Sequence, residues 1–453
     1  MTELRRVLGL SAAVAIVIGT VIGSGLFRVP QTMVQNVGSV GWVFMVWVAG
    51  GILSLAGALA YAELAAAMPG AGGEYVYLTE AYGPMWGFFY GWTQMWVAKA
   101  GSIATLATAF FEYAATFRPE FEQVFFRVPH LGEHGMPLEI RYGQIFAMAV
   151  IVALAVLNYF GVKIGGNVQV VLTGLKMLLI VLIIFAGLMH AAGAAVASTA
   201  PYVAFTVSGF FAALVGVLWA YDGWNNVSMV ASEIRQPARN LPIALIGGTL
   251  AVMVLYLLAN WAYFAVLTPA EVAGSKRVAA TMMDHIFGTP GAKAVSAAIM
   301  VSIFAALNGS ILSGSRVPYA MARDGYFFRS FSKVHPAFAT PGISILGLSA
   351  WSALLVLSGR YDQLFNYVIF ASWLLYGMTA AAVVVLRHTR PDLPRPYRTL
   401  GYPVVPVLFV LAALVLEGFT LKNNPREAIL GLVIIAAGLP FFFYWRGRRT
   451  ARS

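Results

Sequence analysis

The sequence predicts an all-α polytopic membrane protein of twelve transmembrane helices, and three observations predict it. Of 453 residues, 60% are hydrophobic and 10% charged, with a mean hydropathy of +0.78, too little polarity to clothe a soluble globule. Apolar runs near the ~20 residues that cross a bilayer recur along the whole chain, separated by short segments that hold the charges, Pro and Gly. The first and the sixth run are interrupted mid-way by Gly and polar residues, which hydrocarbon tolerates only where the backbone lines a cavity.

Taken in order, the spans fall at roughly 9–35, 41–67, 84–115, 142–160, 166–190, 208–231, 242–267, 293–320, 341–358, 361–387, 402–421 and 427–445. The first run leads directly into the second and has no small-residue cleavage site before a soluble domain, so it reads as a membrane span and not a signal peptide. Seventeen Lys and Arg fall in segments on the side of Arg5 and Arg6, against ten on the other side. That bias puts both termini in the cytoplasm, in the inner membrane of the cell. The net charge of +11 sits in loops beside apolar runs, so it marks orientation and argues against nucleic acid as a partner. With no Cys and six scattered His, neither disulfides, a metal nor any other cofactor is expected. No nucleophile with a base and orienter, and no phosphate loop, supports catalysis, so no catalytic residues are assigned.

The first span contains Gly19-Thr20-Val21-Ile22-Gly23-Ser24-Gly25-Leu26-Phe27. Gly23 and Gly25 divide it into two half-helices, freeing backbone groups near mid-membrane. The half-helix starting near Leu26 aims unpaired N–H groups at a carboxylate, with Ser24 beside them, while carbonyls near Val21 accept an ammonium. The pair suits the head group of an amino acid. The alternative is a small-residue patch for close helix packing. The sixth span carries a second interruption, Trp219-Ala220-Tyr221-Asp222-Gly223-Trp224-Asn225-Asn226. Spans one and six open two successive five-helix sets, 9–190 and 208–387, followed by helices 11 and 12 at 402–445. Paired breaks there are expected of an inverted repeat with its site at the membrane midplane, the whole of 1–453 forming one membrane domain.

These residues resemble a known family. Gly19 to Phe27, the run Gly57-Ala58-Leu59-Ala60-Tyr61-Ala62-Glu63-Leu64, the loop Gly72 to Leu78, Trp219 to Leu241, Asn308-Gly309-Ser310 and Arg395-Pro396-Tyr397 are similar to the L-type amino acid transporter family. That family belongs to the amino acid-polyamine-organocation (APC) superfamily, with the LeuT-type fold. The resemblance implies a secondary active transporter of L-amino acids, neutral ones first, working by alternating access as a sodium-independent exchanger or with a proton. It places Trp219 at an aromatic lid over the ligand and Trp373 beside the substrate side chain. The chain lacks the cysteine that links animal members to a glycoprotein heavy chain, and carries Asp222 where they usually have glycine, which implies a stand-alone, prokaryote-like carrier.

Thr20, Ala220, Asn225 and Ser102 join the substrate-binding set, and Ser310 stands for the polar residues of span eight, which also serve as ordinary interhelical hydrogen bonders. Asp222 has three uses in view: attraction of a cationic amino acid or polyamine, proton coupling, or capping of the second half-helix. Lys99 lines the pathway or pairs within the bundle. Glu63 and Glu74 fall at cytoplasmic helix ends, solvated or bridging a gate. Lys176 lies mid-way along span five, too deep for its stem to reach water. It falls on a lysine that the sodium-independent relatives place where LeuT-type carriers hold sodium. Its expected partners are carbonyls near Gly19 and the hydroxyls of Ser310 or Ser313; the alternative is an ion pair with an acid. An amino-acid sensor using the same pocket without turnover is the competing function.

Overall fold

The computed structural model describes residues 4–128, 138–191, 201–357, 361–423 and 425–450. Most of them are helical, because an apolar segment in hydrocarbon has to satisfy its backbone groups within itself. The first expected span is two helices, α1 (Leu10–Val21) and α2 (Gly25–Val37), and a long helix α3 (Val40–Ala67) follows. A short α4 (Glu74–Tyr82) leads into α5 (Pro84–Thr93), which a π-helical turn at Gln94–Ala98 joins to α6 (Lys99–Ala114). After a hairpin come α7 (Tyr142–Tyr159) and α8 (Val162–Ala191). The sixth span is α9 (Val207–Tyr221) and a single turn α10 (Asn226–Met229), followed by α11 (Pro237–Val266), α12 (Pro269–Gly274), α13 (Val278–Gly314) and α14 (Arg316–Arg323). The chain closes with α15 (Gly342–Val356), α16 (Tyr361–Thr389), α17 (Val404–Asn423), α18 (Pro425–Ala436) and α19 (Leu439–Thr450).

Among the described residues eight helical stretches are long and apolar enough to cross a membrane. The chain is thus a multi-pass helical membrane protein. Burial grades from 83% of the most apolar window of Leu10–Val37 to 22% in Val404–Asn423, so the broken first span is the centre of the bundle and α17 its rim. Around α1 stand α8, α11 and α13, while α2 lies against α9.

Three features depart from the expected runs. The all-α description omits a two-stranded antiparallel hairpin, Val124–Val128 with Leu138–Arg141, whose register is irregular between Val124 and Phe126. The eighth span, expected from 293, is continuous from Val278 through a break at Gly288, where φ of +66° precedes Pro290. The π turn before Lys99 was not anticipated, because such a bulge has no composition of its own.

Candidate functional site

Both breaks lie side by side. Residues Ile22 to Ser24 separate α1 from α2, and Asp222 to Asn225 separate α9 from α10, with Gly223 at φ +105°. A Cβ on Gly25 would stand 2.7 Å from the Cα of Ala220, so only glycine lets the two openings meet. Thr20 lies with its hydroxyl 2.9 Å from the Gly223 carbonyl, tying the first helix to the second break. The Tyr256 hydroxyl, from α11, stands 3.0 Å from the carbonyl of Val21 and 2.9 Å from that of Ala220, and so serves both breaks.

Between them is a cavity lined by Thr20, Val21, Gly23, Ser24, Gly25, Ser102, Leu106, Trp219 and Asp222. It opens partly to solvent, and the room inside it for the centre of a water molecule is about 20 Å³. That holds a water or so, not an amino acid. Ser24 is 1% exposed and its hydroxyl has no hydrogen-bond partner. Gly25 opens α2, whose first N–H groups have no acceptor inside the helix. The site therefore presents the Ser24 hydroxyl and a helix N-terminus to a partly open space.

Several expected positions stand outside this cavity. Ala220 packs its backbone against Gly25. Asn225 is fully buried and donates to the Glu74 carboxylate. Trp373 stacks on Phe409. Ser310 is buried in α13 without lining the space. Leu106 is a lining residue the sequence did not mark, since an apolar residue in an apolar helix carries no signal. The Val21 carbonyl, expected to receive an ammonium, already accepts the Gly23 N–H at 2.8 Å and shares the one proton of the Tyr256 hydroxyl with the Ala220 carbonyl. The capping alternative for Asp222 is not what the structure shows. Asn225 occupies that N-cap, its side chain making no capping bond, while Asp222 accepts from the Tyr376 hydroxyl at 2.9 Å.

Lys176 is fully buried. Its ammonium donates to the carbonyls of Gly19 at 2.7 Å, Ile22 at 2.6 Å and Ser302 at 3.2 Å. Gly19 permits this, because a Cβ there would lie 2.0 Å from Gln169 on the same face of α8. The Gly19 carbonyl lacks its helical donor, since the N–H four residues on, that of Gly23, is bonded to Val21. The expectation of Ser310 or Ser313 as partners is wrong. Ser313 bonds the Gly309 carbonyl of its own helix, and both serines stand a helical length of roughly 12 Å or more beyond Ser302. Among the described residues no acid pairs with Lys176, whose hydrogen bonds go to carbonyls.

Below the second break, Lys99 donates to Asn226 at 2.6 Å, and Glu74 receives Asn225 and the Ser228 hydroxyl. Neither Glu74 nor Glu63 is solvated. Glu63 is 2% exposed and binds Arg387 at 2.7 Å, Arg395 at 3.3 Å and the Thr399 N–H at 2.7 Å. Arg316 and Glu233 form an ion pair at 2.9 Å with both side chains fully buried. On the opposite side of the breaks, Arg28 of α2 meets Glu112 of α6 at 2.7 Å.

The sequence matches the family of amino acid permeases over residues 8–437. The chain belongs to the amino acid permease family. It is similar to the b(0,+)-type amino acid transporter 1 of Mus musculus, 33% identical over 446 residues that cover 98% of this permease and 88% of that protein. It is 34% identical to the serine/threonine exchanger SteT of Bacillus subtilis over 451 residues, 99% of this chain and 98% of the relative. The cystine/glutamate transporter of Homo sapiens is 30% identical, over 97% of the permease and 85% of that protein. The permease is thus an amino acid transporter, not an enzyme.

Proposed function

We propose that the permease is a sodium-independent exchanger of small neutral L-amino acids, built of twelve spans in two inverted five-helix repeats with both termini cytoplasmic. The observation that carries this reading is the buried, partnerless Ser24 hydroxyl at the opening of α2, inside a cavity shared by both breaks. A substrate carboxylate takes Ser24 and the first N–H groups of α2. Its ammonium lies toward Asp222, whose carboxyl lines the same space. Leu106 closes the wall, and with it the room for a side chain. A serine/threonine exchanger among the relatives supports a small substrate. Lys176 holds α1 and α13 together by three carbonyls, the task of a bound cation, which supports independence from sodium. The cavity is too small for an amino acid as it stands, so binding and release require one group of helices to move against the other.

Counterflow tests the reading. Proteoliposomes loaded with L-serine should accumulate labelled L-serine faster than empty ones, equally in external sodium or choline. No acceleration by internal serine would favour a sensor, and a requirement for sodium would overturn the role of Lys176. A cationic substrate is the second reading, favoured by the Asp222 carboxyl at the cavity wall; arginine in the same counterflow decides it.

A further inference from the structure

A second cavity lies away from the breaks, between α16 and α17, with about 230 Å³ of space for water-sized centres. Gly377 and Met378 line it from α16, Ala413, Leu414 and Glu417 from α17, and Tyr82 closes one end. The Tyr82 hydroxyl is already committed, donating to the Met378 carbonyl at 2.9 Å. The polar group left over is the Glu417 carboxyl, whose Oε2 is buried with no hydrogen-bond partner. Leu414 at the rim is 59% exposed, as are its neighbours Leu411 at 52% and Val415 at 54%. This is the apolar outer face of α17, so the cavity opens toward bilayer hydrocarbon and not toward water. Glu417 stands six residues, about 9 Å, before Asn423 at the end of the helix.

A carboxyl at that depth is expensive unless it meets a partner, and among the described residues none reaches it. A partner has to arrive through the lipid. It needs a hydrocarbon body to fill an apolar space and one basic group to match one carboxyl. We propose that this cavity binds an amphiphilic amine, its chain between α16 and α17 and its amino head on Glu417. The site is joined to the transport path through α16, which carries Tyr376, the hydroxyl that holds Asp222. An occupant wedged against that helix slows exchange by opposing its movement.

The test uses the full-length permease in phosphatidylcholine nanodiscs, titrated with dodecylamine and, in parallel, with dodecanol. Dodecylamine should raise the melting temperature of the wild type in a saturable way, and dodecanol should not. Glu417→Gln should weaken dodecylamine binding by roughly tenfold or more. Leu414→Trp, which fills the rim from a lipid-facing position, should do the same, and carries the comparison if the Gln variant does not fold. Equal binding to wild type and variants, or equal effects of alcohol and amine, would overturn the proposal. Nanodiscs containing phosphatidylethanolamine separate the sources. Competition with dodecylamine in the wild type assigns the site to a bilayer aminolipid, and its absence alongside dodecylamine binding assigns it to a free amine.

Discussion

Replacing Lys176 with Met removes the ammonium while keeping most of the volume at the centre of the bundle. Three donations are lost, to Gly19, Ile22 and Ser302. At ~1.5–3 kcal/mol for a hydrogen bond from a charged group, their sum is an upper bound. Polar contacts between membrane helices average only about 0.6 kcal/mol, because the alternative state also finds partners. Removing a buried charge also relieves its own desolvation. The Ile22 carbonyl keeps the Ser302 hydroxyl at 3.0 Å, so the Gly19 carbonyl suffers most. A net loss of about 2 kcal/mol in the tie between α1 and α13 follows, or about 30-fold in the population of the closed arrangement. Serine exchange by Lys176→Met should fall by one to two orders of magnitude, with insertion and monodispersity intact. Lys176→Ala leaves a space bounded by the same carbonyls, so external sodium should restore part of its exchange and none of the Met variant's. Exchange by Lys176→Met within about threefold of wild type would refute the reasoning, since that is below the 1.4 kcal/mol of a tenfold effect.

Gly25→Ala puts a methyl 2.7 Å from the Ala220 backbone and should abolish exchange of every substrate without preventing insertion, as fluorescence size exclusion and counterflow together would show. Leu106→Ala removes part of the cavity wall and should raise the preference for leucine over serine in competition assays by about 10-fold or more, the worth of a few methylenes in a pocket. Asp222→Asn keeps an acceptor for Tyr376 but not the charge. Serine exchange should fall about tenfold, because the substrate ammonium loses its counter-charge, and inhibition by arginine should weaken at least as much. Arg316→Met leaves Glu233 buried without its partner and should lower stability by about 3–5 kcal/mol, read as a large fall in melting temperature that Glu233→Gln in the same chain partly reverses.

How much of this was legible depends on whether a residue breaks the pattern around it. Gly23, Gly25 and Gly223 stand out in apolar runs, and so do Asp222 and Lys176, so the two breaks and the central lysine were readable from composition and position. What the sequence lacks is the register of one helix against another. Lys176 was matched to Ser310 and Ser313 because serine offers a hydroxyl. The actual partner on α13 is the main-chain carbonyl of Ser302, and any residue there would present one. Tyr256 was invisible for a related reason: one tyrosine among twenty acquires its place from α11 passing both openings. Asn225 looked like a ligand because an amide in a membrane break demands a partner. It has one in Glu74, from a helix more than a hundred residues earlier.

Leu8, just ahead of α1, is tied down. Leu8 runs parallel to Ile234, its N–H bonded to the Glu233 carbonyl at 3.0 Å and its carbonyl to the Arg235 N–H at 2.8 Å. The entrance of the first broken helix is thereby stitched to the exit of the second, a few residues from the buried Arg316–Glu233 pair. Anything attached just before Leu8 travels with both. A dye placed there reports on the pair as one moving part, and cannot time the first half-helix separately from the second.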